Sequence, residues 1–166
     1  MRRYAGWRHS RGVDASRIAL VGRSHSGSTV LSALDRTDDS VAAESIKPVA
    51  AVAYYPGCGK SVRMGRYDIA APLLVLVGEA DDWTPAIECR RLVERLRGAR
   101  ADAPVEIVVY PDAHHGFDSL APVRVRDNVA TTRSGKATVG GNPVARLQSR
   151  ERIFAFLAQQ FGRPPR

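Results

Sequence analysis

Residues 17–28, Arg-Ile-Ala-Leu-Val-Gly-Arg-Ser-His-Ser-Gly-Ser, constrain the fold more than any other stretch of the chain. An unbroken apolar run, Ile18 to Val21, feeds into a serine among small residues, and Thr29-Val30-Leu31-Ser32-Ala33-Leu34 can continue as a helix. The order is strand, sharp turn, helix. A serine at such a corner is pushed out of the backbone at the top of a sheet, where the amides opening the next helix point at negative charge. Small neighbours are needed because strand and helix approach closely around the turn. Gly22 sits two residues before Ser24, and Ser26 and Gly27 sit two and three after it. In the usual G-x-S-x-G pattern the last glycine falls at Ser26, so the match is a near one. A serine- and glycine-rich turn after a buried strand has the same local signature, and only the rest of the chain decides between the two.

The rest of the chain repeats the arrangement of short apolar strands followed by helical segments. The second strand spans 48–55 and closes at Pro56-Gly57; the third spans 72–77 and ends at Gly78; the fourth spans 105–110. After the third strand, Thr84 suits a helix N-cap, Pro85 the first helical position and Gly98 the stop. Ile87, Leu92, Val93 and Leu96 give that helix one apolar stripe. A final helix is expected over 144–161, with Leu147, Ile153, Phe154, Leu157 and Phe161 as its stripe. Residues 119–143 are polar and contain glycine, with little periodicity; a loop of that length is functional or disordered. Strands alternating with helices describe an α/β domain on a parallel sheet, and in such sheets function gathers at the carboxyl ends of the strands. The chain divides into an irregular segment 1–12, the α/β domain 13–161 and a tail 162–166.

The polar chemistry that follows the strands forms a set. Ser24 follows the first, Asp81 and Asp82 follow the third, and His114 and His115 follow the fourth. The chain order serine, acid, histidine is that of α/β-hydrolases and differs from the chymotrypsin and subtilisin orders. In this scheme Ser24 attacks a carbonyl, His115 relays its proton, Asp81 supports the imidazolium, and the backbone amide of His25 donates to the oxyanion. Taken singly, the aspartates also read as turn or capping residues, and the histidines as a polar corner. Jointly, three such coincidences at three strand ends are improbable. No spaced His/Cys cluster points to a metal.

The segments Gly22-Arg23-Ser24-His25-Ser26-Gly27-Ser28, Tyr54-Tyr55-Pro56-Gly57-Cys58, residues 76–85, residues 110–118 and Gly140-Gly141-Asn142-Pro143 together resemble the dienelactone hydrolase family of the α/β-hydrolase fold. The resemblance covers residues 13–161. It implies hydrolysis of a small carboxylic ester or lactone, without a cofactor or metal, through Ser24, Asp81 and His115. It also marks an omission, because a complete α/β-hydrolase has several strands ahead of the nucleophile strand. The expectation is therefore the C-terminal part of such a fold, about four parallel strands with flanking helices, through a truncated gene, a frameshift near residues 1–12 or a misplaced start. The loop that supplies a second oxyanion donor is missing, and the first strand is left as an open edge where self-association can occur. The rival to a working hydrolase is a catalytically inactive fragment or interaction module.

Charge and cysteines bear on partners and compartment. The net charge is +8 and the pI near 10.2, which raises a polyanion partner. The arginines, however, are scattered with acids between them, only Lys47, Lys60 and Lys136 are lysine, and no nucleic-acid motif is present. Neither nucleic acid nor a membrane is expected as a partner, since no stretch is long and apolar enough to span one. The N-terminal residues carry no secretory signal, so the chain as written reads as cytoplasmic. Cys58 follows the second strand and Cys89 lies early in the helix after the third. If those strands are neighbours the two can meet, and a bridge would point to the periplasm or the exterior. Two small buried thiols are the alternative.

Overall fold

The computed structural model describes residue 14 and residues 16–99 and 103–162; the segment 1–12 and residues 163–166 of the tail lie outside the described residues. Four strands form one parallel sheet in the order of the chain: β1 (Ala19–Arg23), β2 (Ala50–Tyr54), β3 (Leu73–Gly78) and β4 (Val105–Tyr110). Each crossover carries helix: α1 (His25–Leu34) and the short α2 (Asp39–Ala42), then α3 (Gly59–Arg63), then α4 (Ala86–Gly98). The last helix is α5 (Pro143–Gln160). Parallel strands need such crossovers because a tight hairpin cannot join them.

The two central strands are apolar along their whole length because both faces are covered. Every residue of β2 and β3 is buried. The period of two then splits them between two cores. Ala51, Ala53, Leu73, Val75 and Val77 pack with α1 and α4 through Leu31, Leu34, Leu92, Val93 and Leu96. Ala50, Val52, Leu74 and Leu76 pack on the other face with Phe117, Ala145 and Phe156. A buried leucine or phenylalanine contributes about 1.5–3 kcal/mol relative to an exposed one.

Several elements differ from the sequence expectation. Thr84 does not cap α4; the preceding residue of that helix is Pro85 and makes no side-chain cap. Ile87 is 51% exposed, and Cys89 takes its place in the buried stripe. On α5, Leu147 and Phe154 face outward and the buried positions are Ala145, Ser149 and Phe156. This helix is capped by Asn142, whose side chain accepts from the amides of Val144 and Ala145. Residues 119–143 are not a structureless loop. They contain an antiparallel pair, β5 (Arg124–Arg126) and β6 (Ala137–Val139).

β1 pairs with β2 on one side, and among the described residues no strand pairs with its other side. Val21 on this strand is 47% exposed. A largely apolar cleft of about 250 Å³, lined in part by Ile18, Leu20 and Val41, lies beside the strand.

Cys58 and Cys89 are joined as a disulfide, with Cα atoms 5.0 Å apart and a sequence separation of 31. The bridge ties the start of α3 to α4, and both cysteines are fully buried. Replacing both cysteines by serine is expected to lower stability by about 3–4 kcal/mol, since the unfolded chain regains the entropy of an open loop of this length. Urea unfolding of the oxidised protein and of the double variant, compared by midpoint at constant slope, checks this.

Candidate active site

The elbow is built by two close backbone approaches. A Cβ on Gly22 would fall on the carbonyl oxygen of Ser26, and a Cβ on Gly27 would come within 2.8 Å of the carbonyl oxygen of Tyr54. The small residue that matters after the serine is therefore Gly27, which is buried, whereas Ser26 is exposed. This explains why serine is tolerated at the position where the pattern has glycine. Ser24 itself has φ 52° and ψ −120°, in a region that costs a non-glycine residue about 1–3 kcal/mol. Its amide donates to the carbonyl of Tyr54 at 2.9 Å, and its own carbonyl accepts from Ser28 N at 3.0 Å. Those bonds hold the corner. His25 is the first residue of α1, so its amide lies among the first-turn donors that have no carbonyl one turn back to bond.

Four strand ends converge on this corner. Ser24 Oγ is 2.7 Å from His115 Nε2. His115 Nδ1 is 2.9 Å from Asp81 Oδ2. Both side chains are almost fully shielded, at 6% and 0% exposure. Asp81 Oδ1 accepts from the amides of Trp83 at 2.9 Å and Thr84 at 2.8 Å. The turn-forming and histidine-facing readings of this aspartate thus coexist, one on each oxygen. Asp82 is different. It accepts from the Thr138 amide and hydroxyl on β6, at 2.8 and 3.0 Å, and so anchors the β5–β6 pair. His114 is turned away and bonds through Nδ1 to the Ala80 carbonyl at 3.0 Å.

The histidine loop is fixed on several sides. Gly116 follows His115 at φ 77°, a conformation that suits glycine. The His115 carbonyl accepts from Gly140 N at 3.0 Å. The Trp83 ring lies over the imidazole with centroids 4.7 Å apart, and its Nε1 donates to Thr131 Oγ1 at 2.8 Å. Arg126 stacks on the same indole at 5.4 Å. Residues 124–139 thereby close one side of the site. Tyr55 packs edge-on against the imidazole at 4.6 Å and donates its hydroxyl to Asp118 Oδ1 at 2.7 Å. Burial, and then this bond to a carboxylate, push the Tyr55 phenol far up, so it remains a neutral donor. Asp118 also pairs with Arg23, the residue before Ser24, and that bond raises the guanidinium pKa further. One carboxylate thus links the elbow, the end of β2 and the histidine loop.

The fold brings the three residues expected from the sequence, Ser24, Asp81 and His115, into one contact chain, and the parts around them were not foreseen. Thr131 and Arg126 lie outside every segment that carries the family resemblance, and Tyr55, Arg23 and Asp118 lie inside those segments without a pattern that announces these contacts. The Trp83-Thr84-Pro85 run after the acid was the available signal for two neighbours of the imidazole.

Beside Ser24 opens a cleft of about 450 Å³, lined by Ser24, His25, Trp83, Lys60, Arg63 and Glu88 among others. Cys58 also lines it, so the disulfide is part of the wall. Among the described residues no group of three or more His, Cys, Asp or Glu side chains could hold a metal ion.

A four-stranded parallel sheet with helices in its crossovers and a sharp elbow between β1 and α1 is the architecture of the α/β-hydrolase fold. The chain belongs to the dienelactone hydrolase family, whose sequence profile matches residues 4–160. It is 32% identical over 123 residues to a Yersinia pestis protein provisionally named a carboxymethylenebutenolidase, a match covering 69% of this chain and 42% of that protein. It is also similar to the crystal structure of a protein provisionally named a dienelactone hydrolase, from Klebsiella pneumoniae subsp. pneumoniae MGH 78578. That similarity has a TM-score of 0.62 at 26% identity and covers 93% of this chain and 57% of the other. The fold recurs in Thermogutta terrifontis esterase 2, with a TM-score of 0.60 at 19% identity over 89% of this chain and 55% of that one. The chain spans about half the length of these relatives. Among the described residues no helix is long and apolar enough to cross a membrane.

Proposed function

We propose that the chain carries a serine-dependent hydrolase site for carboxylic esters or lactones. The observation that supports this most is the continuous contact Ser24 Oγ to His115 Nε2 at 2.7 Å and His115 Nδ1 to Asp81 Oδ2 at 2.9 Å, at the mouth of a cleft. Ser24 Oγ adds to the carbonyl carbon and its proton passes to His115 Nε2. The carbonyl oxygen becomes an oxyanion, for which the His25 amide and the positive end of α1 are the donors in this chain. His115 then returns the proton to the leaving alkoxide as the carbon–oxygen bond breaks; in a lactone that alcohol stays tethered to the acyl group. Water, deprotonated by the same histidine, then adds to the acyl carbon, and the histidine returns that proton to Ser24 Oγ as the bond to the acid breaks. Asp81 holds the imidazole orientation and stabilises its charged form.

The name of the Yersinia relative makes a carboxylate-bearing lactone a natural first substrate. Lys60 and Arg63 on the cleft wall match such an anion in charge. The bridged cysteines support an oxidising compartment for the folded chain. Turnover of aryl esters and carboxylated lactones tests the reading, with Asp81→Asn as the diagnostic variant. The expected result is measurable hydrolysis that falls roughly 10³–10⁴-fold in the variant. Turnover that is unchanged in Asp81→Asn would remove the acid from the mechanism.

A second reading, an inactive portion of a hydrolase fold or an interaction module, is favoured by the open edge of β1 and by the coverage of only about half of the relatives. An apolar edge strand of this kind also supports self-association. Light-scattering mass measured alongside the assay separates the two: a dimer or larger species without turnover favours the second reading, and turnover by a monomer the first.

A further inference from the structure

Thr84 stands at a crossing of polar groups that neither a helix cap nor the family pattern explains. Its Oγ1 is 2.9 Å from Asp81 Oδ2, 3.1 Å from His115 Nδ1 and 3.1 Å from the Tyr55 carbonyl oxygen. A hydroxyl has one proton and two lone pairs. The Tyr55 carbonyl and the Asp81 carboxylate are pure acceptors, so the hydroxyl proton goes to one of them. A lone pair of Oγ1 is then left facing His115 Nδ1. The second neighbour of Nδ1, Asp81 Oδ2 at 2.9 Å, is an acceptor as well. Nδ1 therefore meets only lone pairs and has to carry the hydrogen, which leaves the lone pair of Nε2 directed at Ser24 Oγ, 2.7 Å away.

We propose that Thr84 is a positioning residue that, with Asp81, fixes His115 in the Nδ1–H tautomer and anchors the acid loop to the end of β2. The proposal rests on the serine-hydrolase reading above for its effect on turnover, and on geometry alone for the tautomer. Threonine suits the task better than serine in one respect. Its branched Cβ restricts χ1, and the methyl lies close to Gly57, where an added Cβ would be 4.0 Å from Cγ2. The hydroxyl is held where three groups need it.

Two variants separate hydroxyl from shape. Thr84→Val keeps the branched outline and removes the oxygen, whereas Thr84→Ser keeps the oxygen. The expected result is a fall in kcat of about 10-fold or more for Thr84→Val, with KM changed by less than about 2-fold. Thr84→Ser is expected to retain kcat within about 2-fold of the wild type, and thermal unfolding of both variants should show that they are folded. Imidazole ¹⁵N shifts of His115 supply a reading that needs no turnover: a uniform Nδ1–H tautomer in the wild type and a mixture in Thr84→Val. Wild-type kcat in Thr84→Val, a kcat in Thr84→Ser as low as in Thr84→Val, or an effect on KM alone would overturn the proposal. An Nε2–H tautomer in the wild type would overturn it even if no ester is hydrolysed. A wild type with the Nδ1–H tautomer that becomes a mixture in Thr84→Val, but with no turnover in either, would instead sink the hydrolase reading and leave the positioning role supported. A uniform Nδ1–H tautomer in Thr84→Val would overturn it, because Asp81 would then suffice alone.

Discussion

Replacing Ser24 by alanine is expected to lower ester hydrolysis by at least about 10³-fold with little change in stability. The Ser24 hydroxyl is the group in contact with His115 Nε2, and on the proposed mechanism its loss removes the covalent step rather than weakening it. His115→Ala is expected to cost about as much, and the double variant no more than either single one, because groups that act as a unit are not additive. Stability should hardly move. Alanine keeps the Cβ and hence the strained φ of 52° at the corner, and the amide and carbonyl bonds of residue 24 do not involve its side chain. The measurement is kcat/KM on one ester for the three variants, with a denaturation curve for each. A loss of turnover accompanied by a large loss of stability would assign the effect to folding.

A loss of stability as large as that from opening the disulfide is expected for Gly78→Ala, at the end of β3. A Cβ there would collide with the Ala113 carbonyl oxygen, lie 2.6 Å from its carbon and 3.3 Å from the Ala113 methyl. Ala113 is fully buried and its carbonyl already accepts from Ala80 N at 3.1 Å, so it has no room to retreat. Backbone, not a flexible side chain, would have to move. A cost of about 3 kcal/mol or more is expected, read as a fall in melting temperature of about 6–12 °C for a chain of this size. Activity should fall too, because Ala113 lies two residues before His115 and Gly78 three before Asp81. Gly98→Ala is the control. Its added Cβ meets nothing within 4 Å, and alanine at this helical position should be neutral or slightly stabilising. Equal effects at the two glycines would contradict the packing account.

The parts of this structure legible in the sequence are those with a short-range signature. Continuous apolar runs named β2 and β3 because both faces of those strands are covered. Glycine and proline punctuation placed the ends of α4 and α5. The order of Ser24, Asp81 and His115 was readable because each follows a strand that could be recognised separately. What was not legible depends on where distant segments meet. β5 and β6 are three residues each, too short for alternation to register, and they form because Asp82 and Trp83 hold Thr138 and Thr131. Leu147 and Phe154 satisfy a helical stripe, but the sheet meets α5 through Ala145, Ser149 and Phe156. Thr84 has every local mark of a cap, and its hydroxyl is drawn instead to the Tyr55 carbonyl and the Asp81–His115 pair. The Cys58–Cys89 pairing depended on β2 and β3 being neighbours, which the sheet order supplies.

The central claim is that Ser24 is an activated nucleophile in this chain as it stands. Its most direct test is reaction of the purified, folded protein with a fluorophosphonate, followed by intact mass and peptide mapping, with Ser24→Ala alongside. The account predicts one adduct per chain, located on Ser24 and absent from the variant. Folded protein that gains no adduct, or one that is labelled equally in Ser24→Ala, would contradict it.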